Sequence, residues 1–358
     1  MSRVLDRYLL REAARAWFAV TVVLLAVMLA TRFARILGEA AKGEVPADLL
    51  MTVVALSSLQ YLTILVPVSL LLGLMLALGR LYKDSEVAAM MGCGVGQWAL
   101  FRPLLLLTLL VAGLTALLAF QWSPWAGREA DFRVKDARRL IQYTPFEPGR
   151  FKELSSAGAT FYAAEMDPTG QTLTTIFAHL DEGGGSETLL LASEARQDID
   201  GRTGDRQITL RGGWRLQGVP GEAGWDLMRF EELTTRITPP AFLYVAGKRK
   251  LMASTDLRQS TDPQDQAEWA WRVAAPVSVL VLGLLAVPLS HLRPRQGRYS
   301  KLVLGIVAYL VYSNLLGVGQ NWIAKGSAPA ALGLWWVHAL FLIPVVVLLA
   351  RQQGWGRR

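Results

Sequence analysis

Five stretches of this chain run for 20 residues or more without a charged side chain, and that feature restricts its fold more than any other. They are Leu49–Gly79, Pro103–Gly127, Val273–Leu292, Leu302–Ala324 and Gly326–Ala350. An α-helix rises about 1.5 Å per residue, so about 20 residues cross the roughly 30 Å hydrocarbon core of a bilayer. Each stretch is long enough to span. A sixth, Ala16–Thr31, is charge-free for only 16 residues and needs its flanks, Arg32 and Arg35 included. A cleavable signal peptide is the competing reading of that segment. It is longer than the usual apolar region of such a peptide, and no small-residue cleavage site precedes Arg32, so a retained first helix is expected.

The cations give the topology. Arg3, Arg7, Arg11 and Arg15 precede the first span. Arg80, Lys83 and Arg102 lie between spans two and three, Arg293, Arg295, Arg298 and Lys301 between four and five, and Arg351, Arg357 and Arg358 in the tail. If the spans alternate, these 14 residues share one side, against Arg32, Arg35, Lys42 and Lys325 in the short segments opposite. The positive-inside rule then puts both termini in the cytoplasm. All tryptophans except Trp214 and Trp225 lie near span ends, where amphipathic rings meet the headgroups.

The same alternation places residues 128–268 outside. They hold 18 basic and 22 acidic residues, so the excess of the chain's net +8 belongs to the membrane-embedded parts. Topology accounts for the positive charge, and nucleic-acid binding is not needed to explain it. After an amphipathic stretch from Arg128 to Gln142, short alternating runs read as strands: Ala159–Met166, Thr172–Leu180, Thr188–Ala195, Arg206–Val219 and Trp225–Ile237. Turn-forming clusters such as Asp167-Pro168-Thr169-Gly170 and Pro220-Gly221 divide them. Their spacing suggests a sandwich or jelly roll. The expected organisation is spans one to three in 1–127, the β-rich domain with its linkers in 128–268, and spans four to six in 269–358. Lys248–Glu268 reads as a polar linker and helix start.

Little in the chain points to catalysis. Cys93 is the one cysteine, which rules out an intrachain disulfide or multi-cysteine metal site, and His179, His291 and His338 are far apart. Carboxylates such as Asp198 and Asp200 are expected at a solvated turn. No catalytic residue, metal site or cofactor is assigned. No Gly-x-x-x-x-Gly-Lys-Ser/Thr motif occurs, so ATP-driven work would need a separate nucleotide-binding subunit. The β-rich domain suits holding a lipid chain, docking another β-domain edge to edge, or simple packing.

Two short elements carry the candidate site. Around 83–95, Asp84 or Ser85 is placed to cap a short helix, with Glu86 at its positive end and Gly92 and Gly94 stopping it. Its apolar face, Val87, Met90 and Met91, suits the groove of a cytoplasmic partner with Glu86 paired to a basic group. The competing reading is an interfacial helix whose acid only caps. Arg32 and Arg35, three apart, share a helix face. Either they snorkel to the headgroups, or they line a cavity and pair with phosphates. Asn314, Gln320 and Asn321 are expected to bond between helices. Pro67, Pro276, Pro288 and Pro344 are expected to kink their helices.

Several motifs resemble the LptF/LptG permease family of the lipopolysaccharide export machine, most closely its LptF branch. They are Arg35-Ile36-Leu37-Gly38 with Gly43-Glu44-Val45-Pro46-Ala47, Pro67-Val68-Ser69-Leu70 with Leu78-Gly79-Arg80-Leu81-Tyr82, and Asp84-Ser85-Glu86 with Met91-Gly92-Cys93-Gly94. Pro294-Arg295-Gln296-Gly297-Arg298 and Gly333-Leu334-Trp335-Trp336-Val337-His338 complete the series. The resemblance implies an α-helical membrane protein with six transmembrane helices and an inserted all-β, jelly-roll-like periplasmic domain. It implies no enzyme but the permease of an ATP-driven exporter in the bacterial inner membrane. An LptG-type paralogue, two copies of an LptB-type ATPase, an LptC-type bridge protein and lipopolysaccharide would be its partners. It makes Asp84, Ser85 and Glu86 the ATPase-coupling segment, and Arg32 and Arg35 contacts to glycolipid phosphates. The LptG-type paralogue, a membrane-anchored periplasmic scaffold or sensor, and a lipid-acting membrane enzyme are the alternatives.

Overall fold

The computed structural model describes residues 2–41, 49–142, 148–154, 158–167, 171–181, 185–199, 206–237, 244, 247–291, 301–330 and 332–352. They divide into a helical unit, which takes in the chain up to Phe132 and again from Val245, and a β-rich unit within Arg133–Tyr244. The motifs at Gly43–Ala47 and Pro294–Arg298 lie outside the described residues.

The helices are α1 (Ser2–Ala41), α2 (Leu50–Lys83), α3 (Glu86–Gly92), α4 (Gln97–Leu117), α5 (Ser123–Gln142), α6 (Ser254–Gln259), α7 (Pro263–Leu289), α8 (Leu302–Ala324) and α9 (Trp335–Gln352). A π-helical turn, Leu118–Trp122, joins α4 to α5 without a break in the rod. Five stretches are long and apolar enough to cross a membrane: Val4–Ala41, Leu50–Lys83, Trp98–Ala137, Pro263–Leu289 and Leu302–Ala324. The sixth apolar helix, Trp335–Ala350, is shorter. Pro67, Pro103, Pro276, Pro288 and Pro344 lie inside helices.

α2 and α7 form the centre of this unit, with Leu70, Leu71, Leu74, Val279, Leu282 and Ala286 fully enclosed. Burial reaches 72% of the most apolar window in α2 and 61% in α7, against 6% in α1 and 22% in α8. α1 and α8 therefore keep broad apolar faces open: Phe18, Val22, Val23 and Val27 on one, Val303, Leu304, Val307 and Val311 on the other. Asn314, on an exposed part of α8, donates to its own helix at Leu310 O (2.7 Å) instead of bonding between helices, because among the described residues its side of α8 is left exposed.

Several buried hydroxyl and ring groups inside the unit are satisfied locally, as an apolar medium demands. Trp17 donates its indole N–H to Ser69 Oγ (3.2 Å), and the Thr21 hydroxyl bonds the same oxygen (2.8 Å). These bonds sit beside a close approach of α1 and α2, since a Cβ on Gly73 would lie 2.5 Å from Trp17 Cα. A second chain joins α7, α8 and α9. Ser278 donates to Ala274 O (2.7 Å), which leaves its oxygen to accept from Tyr312 (2.9 Å). The Tyr312 hydroxyl, its proton so used, accepts at 2.7 Å from His338, which fixes the proton on Nδ1.

The β-rich unit contains one antiparallel sheet in the order β1 (Lys152–Leu154), β2 (Ala159–Met166), β3 (Thr172–Asp181), β4 (Glu187–Ile199), β5 (Arg206–Gly218) and β6 (Asp226–Ile237). The expected inserted all-β domain is present, and its described strands follow one another as a meander. β1 was not anticipated; three residues are too few for an alternating pattern. Asp198 lies within β4 opposite Gln207, not at the expected turn, and Asp200 falls outside the described residues.

A crease crosses this sheet. The ladder omits the pairs at Ala164, Thr175, Ser193, Gly212 and Glu231, which occupy one continuous line over five strands. Thr175 and Gly212 there take φ of 51° and 60°, and Ser193 donates across the gap to the carbonyls of Arg211 (3.0 Å) and Gly212 (3.3 Å). Alternation inverts at the line, so Leu173, Ala195 and Leu210 on one half and Ile176, Ala178, Ala192 and Phe230 on the other join a single core. The outer face differs between halves. On one it is polar, with Thr174, Glu194, Arg211 and Glu232 in register. On the other it is apolar: Phe177, Leu189, Leu191, Trp214, Leu216 and Leu227 line a groove of about 300 Å³.

Candidate functional site

The segment after α2 is set by its backbone. α2 ends where the Asp84 N–H bonds Arg80 O (2.9 Å), and Ser85 then takes φ 59°, the left-handed region. In that conformation Ser85 makes no side-chain cap, and Asp84 does not supply one either, so the expected cap is absent. Its carbonyl still starts α3 by accepting from Ala89 N–H (2.9 Å). The stop matches expectation with one refinement. Gly94 (φ 82°) is the left-handed residue, its N–H bonding Met91 O (3.0 Å) while Val95 N–H bonds Met90 O (3.1 Å), a Schellman ending.

The apolar face of α3 is divided. Val87 is buried and Met90 packs against the helical core, whereas Met91 stays 42% exposed and Trp98, just beyond, 71%. Glu86 is not free. One carboxylate oxygen accepts from the Tyr8 hydroxyl (2.6 Å) and the other from Arg80 Nη2 (3.3 Å). Arg80 also donates to Tyr8 Oη (2.8 Å) and pairs with Glu12 (2.7 Å). Asp84 Oδ2 stands 3.9 Å from Arg80 Nε. Tyr8 and Glu12 were missed from the sequence, because 78 residues separate Tyr8 from Glu86 and no local pattern joins them. The available signal was Arg80 closing a long apolar run with two acids just behind it.

Arg32 and Arg35 lie near the end of α1, far along the chain from this cluster. Arg35 is exposed; Arg32 is half-buried, with a buried Nε that has no hydrogen-bond acceptor. Neither forms an ion pair among the described residues.

A second arginine cluster gathers where the chain returns to the helical unit. Arg272 donates to Glu268 Oε1 (3.3 Å), Ser254 Oγ (2.8 Å), Lys250 O (3.1 Å) and Met252 O (3.0 Å). Ser254 in turn donates to Phe120 O within the π-helical turn (2.6 Å). Nearby Arg249 pairs with Asp262 and Asp265, each at 2.8 Å. Asp262 caps α7 by accepting from Gln264 N–H (2.9 Å), ahead of Pro263 at the first helical position. That backbone hydrogen bond, then Arg249, holds the Asp262 carboxyl below its usual range.

Residues 7–351 match the family described as "Lipopolysaccharide export system permease LptF/LptG". The chain is similar to the lipopolysaccharide export system permease protein LptF of Escherichia coli (strain K12). The two are 25% identical over 346 residues, which is 96% of this chain and 94% of that protein. The LptF proteins of E. coli O157:H7 and Shigella flexneri match with the same identity and coverage.

Proposed function

We infer the workings of this chain from one premise: it belongs to the lipopolysaccharide export permease family LptF/LptG. It is a multi-pass membrane protein and a permease subunit for lipopolysaccharide export. Our reading extends this to the bacterial inner membrane, with both termini in the cytoplasm and the β-rich unit in the periplasm. The one-sided distribution of 14 cations supports that orientation.

In this reading an LptG-type paralogue covers the open apolar faces of α1 and α8, and two copies of an LptB-type ATPase supply the nucleotide chemistry that this chain lacks. α3 is the docking element. The observation that carries this is a short helix fixed at the cation-rich end of the bundle, with Met91 on it and Trp98 just beyond it left exposed. Met91→Asp should strip the ATPase from the purified complex. Copurification at the native ratio would overturn the docking role.

Arg32 and Arg35 meet the phosphates of the glycolipid, for which unpaired guanidinium forks are suited. Each methylene shielded from water is worth about 0.8 kcal/mol, so acyl chains need a continuous apolar route. The groove beside Trp214 would shelter part of such a chain on the way to an LptC-type bridge. Arg32→Gln together with Arg35→Gln should reduce lipopolysaccharide crosslinking to α1, and unchanged crosslinking would leave both arginines as headgroup snorkels.

A further inference from the structure

Glu86 follows Arg80 by six residues, a spacing that one uninterrupted helix would place about 9 Å apart along its axis and about 120° around it. The two side chains meet at 3.3 Å because the chain breaks at Ser85, in the left-handed region. Arg80, on α2, thereby ties α1 and α3 to its own helix. Nη1 reaches Glu12 of α1 (2.7 Å), and Nη2 reaches both Tyr8 of α1 (2.8 Å) and Glu86 of α3 (3.3 Å), all from α2. The Tyr8 hydroxyl closes the ring by donating to Glu86 (2.6 Å). A planar fork with five donors suits such a junction, and a lysine's single ammonium does not.

We propose that Arg80 is a positioning residue that locks α3 to both α1 and α2, so that a displacement of α3 is passed to α1, the helix bearing Arg32 and Arg35. This rests on α3 being the element that the ATPase moves. The carboxylate of Glu86 then serves as an internal strut: its two oxygens already have partners within the chain. The most apolar part of α1 is little buried, so its hold on the bundle near α3 comes from Leu9 and Ala13 in the core, the Tyr8–Glu12 face and the Trp17–Gly73 contact. The side chains of Arg80, Glu12 and Glu86 are 32%, 19% and 30% exposed, so the cluster can break and re-form without burying a bare charge.

The test uses the full transporter complex in proteoliposomes, with bound ATPase, ATP hydrolysis and lipopolysaccharide released per ATP measured together. Arg80→Gln and the isosteric Glu12→Gln should each keep the ATPase bound and hydrolysing, while release per ATP falls about fivefold or more, the scale of ordinary coupling between sites. Arg80→Lys should recover part of the loss, and the double variant should be no worse than Arg80→Gln alone, since both remove one junction. An unchanged yield per ATP in both single variants would overturn the proposal. Loss of the ATPase from the Glu12→Gln complex would overturn it too, because Glu12, on α1, is bonded to Arg80 and not to α3. The docking reading fails by a different observation, retention of the ATPase by Met91→Asp.

Discussion

Two arginines organise opposite ends of the helical unit, and they do so in different ways. Arg272 is 4% exposed and spends most of its donors on groups that cannot rearrange easily: two backbone carbonyls, a serine that is itself bound to the π-helical turn, and Glu268 one turn behind it. Arg80 is 32% exposed and bonds only side chains, those of Tyr8 and Glu12 on α1 and of Glu86 on α3. A buried charge must be fully paired or it costs several kcal/mol, so the first cluster is a fixed joint. A partly solvated charge loses little when a partner leaves, so the second is a joint that can move. The difference separates anchoring the chain where it re-enters the membrane helices from transmitting motion between them.

The contrast breaks most visibly at Arg272. Arg272→Ala leaves Glu268 buried without its cation and two carbonyls without donors, and should cost about 3–5 kcal/mol. Thermal unfolding in detergent should show a large loss. Replacing both partners, Arg272→Met with Glu268→Leu, should recover much of it, because neither charge then needs solvation; no recovery would mean that the carbonyl contacts dominate. Next in size is Gly73→Leu. A side chain there meets the Trp17 backbone where α1 lies close against α2, and overpacking of this kind costs about 1–3 kcal/mol. Crosslinking between cysteines placed on α1 and α2 should report their separation. Tyr312→Phe should fall in a similar range, about 1–3 kcal/mol, because the buried His338 Nδ1–H loses its acceptor. The same unfolding measurement checks it.

The helices were legible because each needs about 20 apolar residues in a row, a property of contiguous sequence. The strands were legible from alternation and turns. Contacts that depend on chain breaks were not. Ser85 looks like a cap in sequence, but its left-handed backbone is what turns Glu86 back onto Arg80. The crease at Thr175, Ser193 and Gly212 is hidden because the half of the sheet beyond it is apolar on both faces, so the flip in alternation leaves no clean period-two signal. Arg272 stood in plain view as the residue before an apolar run, yet only packing reveals that the linker's carbonyls converge on it.

At Arg80 stability and function should part company. Arg80→Gln should lower the unfolding midpoint only slightly, because exposed ion pairs are worth roughly 0.2–1 kcal/mol each, while lipopolysaccharide release per ATP falls severalfold. A stability loss as large as that of Arg272→Ala would erase the distinction between the two joints.

The smallest effect belongs to Asp262, at the solvent-facing rim of the fixed joint. Its folded pKa lies below the ordinary value of about 3.9, first through the Gln264 N–H and then through Arg249. A depressed carboxylate stabilises the fold fully above its unfolded pKa and loses that contribution as pH falls through the folded value. The native chain should therefore lose a little stability on acidification below about pH 4, and Asp262→Asn should remove that part of the slope while keeping the side-chain cap on α7. An identical acid slope in the variant would show that Asp262 does not supply the pH dependence of this joint.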